Sequence, residues 1–331
     1  MAEGLRSPAL SLFVGLLVVS AGVVTSATVT HGFIGYLGEL IDVPKIPAIL
    51  IIIAALVLLA IWGIKQAVLV AATITILEIA GLLLALWVGR DAFAALPAAL
   101  PDMVPALDRT VLLGLLMGSV LAFFAFIGFE DLANVAEEVK HPRRTLPLAI
   151  GLTLLITTLL YILISIVMVL SIPLPELGAT DAPLALLFTR HGGLPPEAIT
   201  VISLLSIING ALIQTIMASR MLYGLAVMKR LPTMFAYVHP RTHTPVVATV
   251  AVGLLIVGFA LAAPLLTLAQ LTSFVVLLIF FLVDLALAQI KVRRLHAPPD
   301  AFVVPRWVPI VGASACFAML VFQAVEFLFV R

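Results

Sequence analysis

Apolar runs, each about as long as a bilayer is thick and separated by short polar breaks, constrain this chain more than any other feature. A hydrocarbon core of roughly 30 Å is crossed by about 20 helical residues rising about 1.5 Å each. By that measure nine segments qualify: about 9–38, 46–63, 66–89, 109–138, 146–172, 198–228, 244–264, 266–290 and 306–330. The second and third are divided only by the turn Gly63-Ile64-Lys65. Lipid offers the backbone no hydrogen bonds, so spans of this kind are helical. With 63% of its 331 residues hydrophobic and 11% charged, the chain lacks the polar surface that a soluble domain needs. The expected fold class is an all-α polytopic membrane protein, one transmembrane domain over 1–331. The first run is too long for a cleaved signal peptide and reads as a permanent anchor.

Charge placement orients the bundle. With the N-terminus in the cytoplasm, one face collects twelve of the 18 lysines and arginines, among them Arg6, Lys65, Lys140, Arg143, Arg144, Lys229 and Arg230. The other face receives five, and Arg220 stays inside the sixth span near its cytoplasmic end. The positive-inside rule then selects a multi-pass protein of the cell membrane, N-terminus cytoplasmic and C-terminus outside.

Several chemistries find no residues to carry them. Cys316 is the single cysteine, which leaves no disulfide and no thiolate metal site. His239 and His243 are four apart, but Pro240 and Pro245 put them in a loop. No phosphate loop ending in Gly-Lys-Ser/Thr and no serine nucleophile motif occurs, and the net charge of +1 gives no hint of nucleic acid. No cofactor is expected, and an intramembrane enzyme ranks last among the readings.

The fourth run contains the anomaly. Phe123 to Ile150 reads FFAFIGFEDLANVAEEVKHPRRTLPLAI, an apolar helix interrupted at about Phe126–Asp131 by a glycine and two carboxylates. Gly114, Gly118 and Ala122 recur every four residues upstream, a small-residue stripe suited to close helix packing. Gly128 permits backbone angles that a β-carbon forbids. Glu130 and Asp131 suit the first turn of a second half-helix, which Pro142 ends. Two readings stand: a kink with carboxylate caps, or a midmembrane ligand site of exposed carbonyls and amides. Discontinuous helices mark substrate sites in secondary transporters, which favours the second.

Those residues resemble a known family. Phe-Ala-Phe-Ile-Gly-Phe-Glu (124–130), then Ala-Glu-Glu-Val-Lys (136–140), Pro-Arg-Arg and Leu-Pro-Leu-Ala-Ile are similar to the sixth-helix signature of the amino acid–polyamine–organocation permeases. Ala218-Ser219-Arg220-Met221-Leu222-Tyr223-Gly224, with Lys229-Arg230-Leu231-Pro232, resembles the end of that family's eighth helix. The resemblance implies two inverted repeats of five helices, with substrate held between the broken first helices of each. On that map residues 1–89 are a three-helix remnant of the first repeat, 109–290 the five-helix second repeat and 306–330 an additional helix. The family's first two helices and its last have no counterpart, so the expectation is a truncated sequence or a chain completed by a partner. The implied function is secondary active transport of amino acids by alternating access, proton-coupled or by exchange. The alternative is a non-transporting remnant or subunit that needs a partner to complete the site. Homo-oligomers are compatible with either reading.

Candidate site residues surround the break and extend to the sixth span. Phe123, Phe124, Phe126 and Phe129 wall a pocket around the break, and Ile127 and Gly128 join them as substrate-binding candidates, the carbonyls near Phe126–Gly128 receiving the substrate ammonium. Glu130 senses a cationic side chain or only caps the half-helix. On the sixth span Ser203, Ser206, Gly210, Gln214 and Met217 share one face. That face serves helix packing or, as the resemblance implies, the substrate cavity, with Ser206 and Gln214 the candidates. On the first span Ser11, Gly15, Gly22, Ser26 and Thr30 form a similar stripe that reads as packing.

Glu78 lies near the middle of the third span, where a charge costs about 3 kcal/mol on insertion scales. It is either a neutral residue bonded to a neighbouring helix or an ion-coupling group that carries a proton. By resemblance it falls near a position where relatives carry a lysine, so the charge is reversed. Glu137 and Glu138, beside Lys140, Arg143 and Arg144, together with Arg220, are gate or structural residues. Asp284 balances Lys291 and its neighbours.

Overall fold

The computed structural model describes residues 7–62, 64–106, 108–134, 139–293 and 302–329, with the backbone alone at 64–71, 134 and 328–329. Helix α1, Pro8–Gly38, starts where Ser7 accepts the N–H of Leu10 at 3.2 Å and Pro8 supplies a preset first residue. Then follow α2, Lys45–Trp62; α3, Ile64–Val88; and α4, Ala92–Met103. Helix α5, Arg109–Phe124, is capped by Asp108 on the N–H of Val111 at 2.9 Å. A single turn, α6, covers Asp131–Asn134, and α7 runs Pro142–Ser171. Short helices α8, Leu174–Ala179, and α9, Pro183–His191, lead into α10, Pro196–Val227. The chain closes with α11, Val246–Ala262; α12, Leu265–Val292; and α13, Trp307–Phe329. No strand occurs among the described residues.

Six of these helices are long and apolar enough to cross a membrane alone, and α3 with α4, bent by 79°, makes a seventh. Helices α5 and α11 are apolar but shorter, at 16 and 17 residues. These nine correspond one for one to the nine predicted spans. Hydropathy alone misses α4, α8 and α9, which lie between the apolar runs. Pro142 also departs from expectation: it opens α7 as its first residue. A fixed φ and a missing N–H suit a helix start better than an end.

Helix α1 is the axis of the bundle, packed by α10, α11 and α12. Its small-residue stripe does what packing requires. Gly15 faces Leu225, and Gly22 lies against Ala218 and the carbonyl of Gln214. Ser26 donates to the Ala211 carbonyl at 3.3 Å and meets Thr215 at the same distance. A Cβ at Gly22 would stand 3.0 Å from Ala218 Cβ and 3.1 Å from the Gln214 carbonyl oxygen, a backbone atom that cannot swing aside. Gly22→Leu is therefore expected to destabilise the bundle by roughly 1–3 kcal/mol, read as a lower thermal midpoint in detergent. An unchanged midpoint would mean that α1 and α10 are not in this contact.

The glycine stripe of α5 behaves otherwise. Helix α5 meets α12 through Val120, which is buried and whose carbonyl accepts from Ser273 at 3.0 Å. Gly114, Gly118 and Ala122 lie on the opposite side. Nothing stands within 4 Å of a Cβ built at either glycine, and Ala122 is exposed. Close packing through this stripe is therefore not found among the described residues. Asp284 also differs from expectation. Lys291 donates to the carbonyl of Val304, and the Asp284 carboxyl lies against Gly312.

Candidate functional site

Helix α5 stops at Phe124, and the next three N–H groups tighten onto carbonyls three residues back. Ala125, Phe126 and Ile127 donate to Ala122, Phe123 and Phe124 at 3.1, 3.0 and 3.1 Å. Gly128 then takes φ = 124°, and the chain restarts at Asp131. A Cβ at Gly128 would meet only Gln214 Nε2, at 3.9 Å. Backbone angle, not space, demands glycine here. Glu130 does not cap the new half-helix as expected. Its Oε2 turns back to accept the N–H of Gly128 at 2.7 Å, because that amide loses its helical acceptor at the break.

The carbonyls of the break divide into used and unused. Ala125 accepts from the Tyr161 hydroxyl of α7 at 2.9 Å, and Gly128 accepts from the N–H of Asp131 at 3.2 Å. Those of Phe126 and Ile127 have no partner among the described residues. Backbone acceptors at membrane depth are tolerated only where they line a protein cavity. Around them Phe126 meets the Tyr161 ring edge-on at 5.3 Å, while Phe123 and Phe129 bracket Phe280 of α12 at 6.1 and 5.8 Å. Asp131 Oδ2 accepts from Gln214 Nε2 at 2.8 Å, which ties the restart of the helix to α10.

Glu78 opens on a separate cavity of about 190 Å³, formed with Tyr36 of α1 and with Ser203 and Ser206 of α10. Tyr161 stands within electrostatic range of Glu78. One side chain thus relates to both places: its hydroxyl holds a carbonyl of the break and lies within electrostatic range of the acid.

The family profile described as amino acid permease matches residues 3–329 of this chain. The chain belongs to the amino acid permease family. That family is one of transporters, not of enzymes. Among curated permeases and transporters, it is 30% identical over 255 residues to cationic amino acid transporter 4, vacuolar, of Arabidopsis thaliana, covering 77% of this chain and 42% of that one. It is 35% identical over 193 residues to cationic amino acid transporter 3, mitochondrial, of the same plant, covering 58% and 31%. It is 29% identical over 207 residues to the branched-chain amino acid permease BcaP of Bacillus subtilis, covering 62% and 44%. The chain thus spans less than half the length of each of these relatives.

Within this chain the predicted site residues fall into two groups. Phe123, Phe126, Ile127, Gly128, Phe129, Glu130 and Gln214 gather at the break. Ser206, placed with Gln214 on one face of α10, lines the Glu78 cavity instead and donates within its own helix to Ile202 at 3.0 Å. Eight residues separate it from Gln214, about 12 Å of helix. Arg220 is half-buried and engaged rather than free. Glu137 and Glu138 lie outside the described residues. Sequence reading misses Tyr161 and Tyr36. A signal exists for Tyr161: a tyrosine in the middle of an apolar span, away from the interfaces where its hydroxyl finds water, needs a partner within the protein.

Proposed function

We propose that this permease moves amino acids across the cytoplasmic membrane by secondary active transport, binding them at the interrupted helix and coupling to protons through Glu78. The observation that carries the reading is the pair of unpartnered carbonyls, Phe126 and Ile127, beside a glycine held at positive φ. Carbonyl acceptors there suit a substrate ammonium, and the surrounding phenylalanines suit an apolar or aliphatic stem. Family membership and the amino acid names of the relatives support the substrate class. An inverted repeat with its second half over 109–290, alternating access around the break and a cytoplasmic N-terminus, which the distribution of basic residues supports, complete the proposal.

Both acids at the break are engaged, Glu130 with an amide and Asp131 with Gln214, so neither marks a cationic substrate on its own. The test is calorimetric titration of the purified, folded chain with a panel that includes lysine and arginine beside alanine and leucine. Saturable heat from one class names the substrate. Silence across the panel from a folded sample overturns amino acid binding by this chain. A second reading, a site completed only with a further polypeptide segment, is favoured by the open glycine face of α5. It gives silence from this chain alone and binding in that segment's presence.

Tyr161→Phe probes the break more gently. It removes the hydroxyl that holds the Ala125 carbonyl, a net bond worth about 0.5–1.5 kcal/mol, so affinity is expected to fall by about 2- to 12-fold with the bundle intact. Unchanged affinity in the titration would detach Tyr161 from the site.

A further inference from the structure

Helices α12 and α13 pack against each other along much of their length, and the fit changes from one end to the other. At the Val292–Trp307 end it is tight. The rings of Phe281 and Phe317 lie 5.6 Å apart, Gly312 makes room for the Asp284 carboxyl, and Lys291 is bonded to the Val304 carbonyl. At the opposite end the two helices leave a cavity of about 460 Å³ between them, larger than the one at Glu78.

The cavity is graded in polarity along the helices. Thr267 lies in the first turn of α12 and Glu326 in the last turn of α13, so the mouth sits where the spans meet the interface. Leu271 and Phe274, one and two turns further along α12, supply an apolar floor. Gln323 stands between these levels, one turn inside Glu326 on the same face of α13. It is only 8% exposed. Its Nε2 donates to the Gln270 carbonyl at 2.6 Å, and its Oε1 is buried without a partner. A buried acceptor left without a partner destabilises the site, which therefore favours a donor. Among the described residues no lysine or arginine lines the cavity.

We propose that this cleft binds a membrane lipid with a primary-ammonium headgroup, phosphatidylethanolamine, whose ammonium bonds Gln323 Oε1 and pairs with Glu326 while the upper part of one acyl chain lies on Leu271 and Phe274. The volume suits a headgroup and the start of a chain rather than a whole lipid. Two acceptors, one of them anionic, select for N–H donors and positive charge together. A quaternary choline head carries the charge without a donor, and a phosphatidylglycerol head brings a net negative charge towards the Glu326 carboxylate. Such binding is independent of the substrate and of the coupling ion and needs only the membrane-spanning fold.

Native mass spectrometry of the purified chain tests it, after exchange with phosphatidylethanolamine, phosphatidylcholine or phosphatidylglycerol of identical acyl chains. Ethanolamine lipid should be retained about tenfold more than choline lipid, the ratio expected when about 1.4 kcal/mol separates them. Glycerol lipid should stay at background. Q323L and E326Q should each bring the ethanolamine-to-choline ratio towards one. Glu326 is at the rim, so E326Q reports even where Q323L does not fold, with circular dichroism as the check. Equal retention of the two zwitterionic lipids would overturn the proposal, and so would a tenfold preference that survives in folded E326Q.

Discussion

Gly128→Leu is expected to reduce amino acid binding by more than about 100-fold while the helical bundle remains folded. The loss arises from the backbone. At φ = 124° a residue with a β-carbon is strained by about 1–3 kcal/mol, and the chain relieves that strain by turning Gly128 towards helical or extended angles. The rotation moves the 128 amide away from Glu130 Oε2 and reorients the neighbouring carbonyls of Phe126 and Ile127, which are the proposed ammonium acceptors. About 3 kcal/mol of lost binding is a factor of roughly 100. The fold is insulated because a Cβ at this position meets only Gln214 Nε2, at an ordinary 3.9 Å. Circular dichroism and the thermal midpoint report the bundle, and calorimetric titration reports the site. Gly128→Ala separates strain from bulk, since it imposes the same backbone penalty with almost no volume and should lose most of the same affinity. Wild-type affinity in both variants would mean that the break does not form the site.

The helices are legible in the sequence because their cause is one-dimensional. A run of about 20 apolar residues has one stable arrangement in lipid, and each of the nine runs forms an apolar helix, the third bending into α4 beyond its end and the fourth interrupted at the break. The break is legible for the same reason: glycine followed by two acids cannot continue an apolar helix without consequence. Which faces meet is not legible. Gly22 and Gly114 belong to equally regular stripes, yet Gly22 packs against α10 while Gly114 faces no atom within 4 Å. A stripe states that close approach is permitted and not that a neighbour is present. Ser206 and Gln214 share a face of α10, but α3 approaches one end of that face and the broken helix approaches the other, so the face serves two sites. Glu130 looks like a cap in the sequence because it precedes a helix start. Its side chain runs backwards because the Gly128 amide has lost its acceptor, a need that arises only once the break has formed.

Glu78→Gln should leave substrate exchange running and remove the dependence of net uptake on a proton gradient. The Glu78 carboxyl, exposed on a mostly apolar cavity that Ser203 and Ser206 also line, has one transferable charge, and a carboxamide of nearly the same shape has none. If one proton moves with each substrate, every pH unit of gradient supplies about 1.4 kcal/mol, a factor of about ten in accumulation. Proteoliposomes with an imposed gradient should therefore show accumulation that climbs about tenfold per unit for the wild type and stays flat for Glu78→Gln. Counterflow without a gradient separates a coupling defect from a binding defect, because the variant still exchanges labelled for unlabelled amino acid. Tyr161→Phe provides the complementary arm. Its hydroxyl holds the Ala125 carbonyl of the break and lies only within electrostatic range of Glu78, so the variant should weaken binding and keep the proton slope. A Glu78→Gln protein that keeps the wild-type slope would exclude this acid as the proton carrier, and the charge at midspan would then have to be held by the neighbouring Tyr36, Ser203 and Ser206 for structure alone.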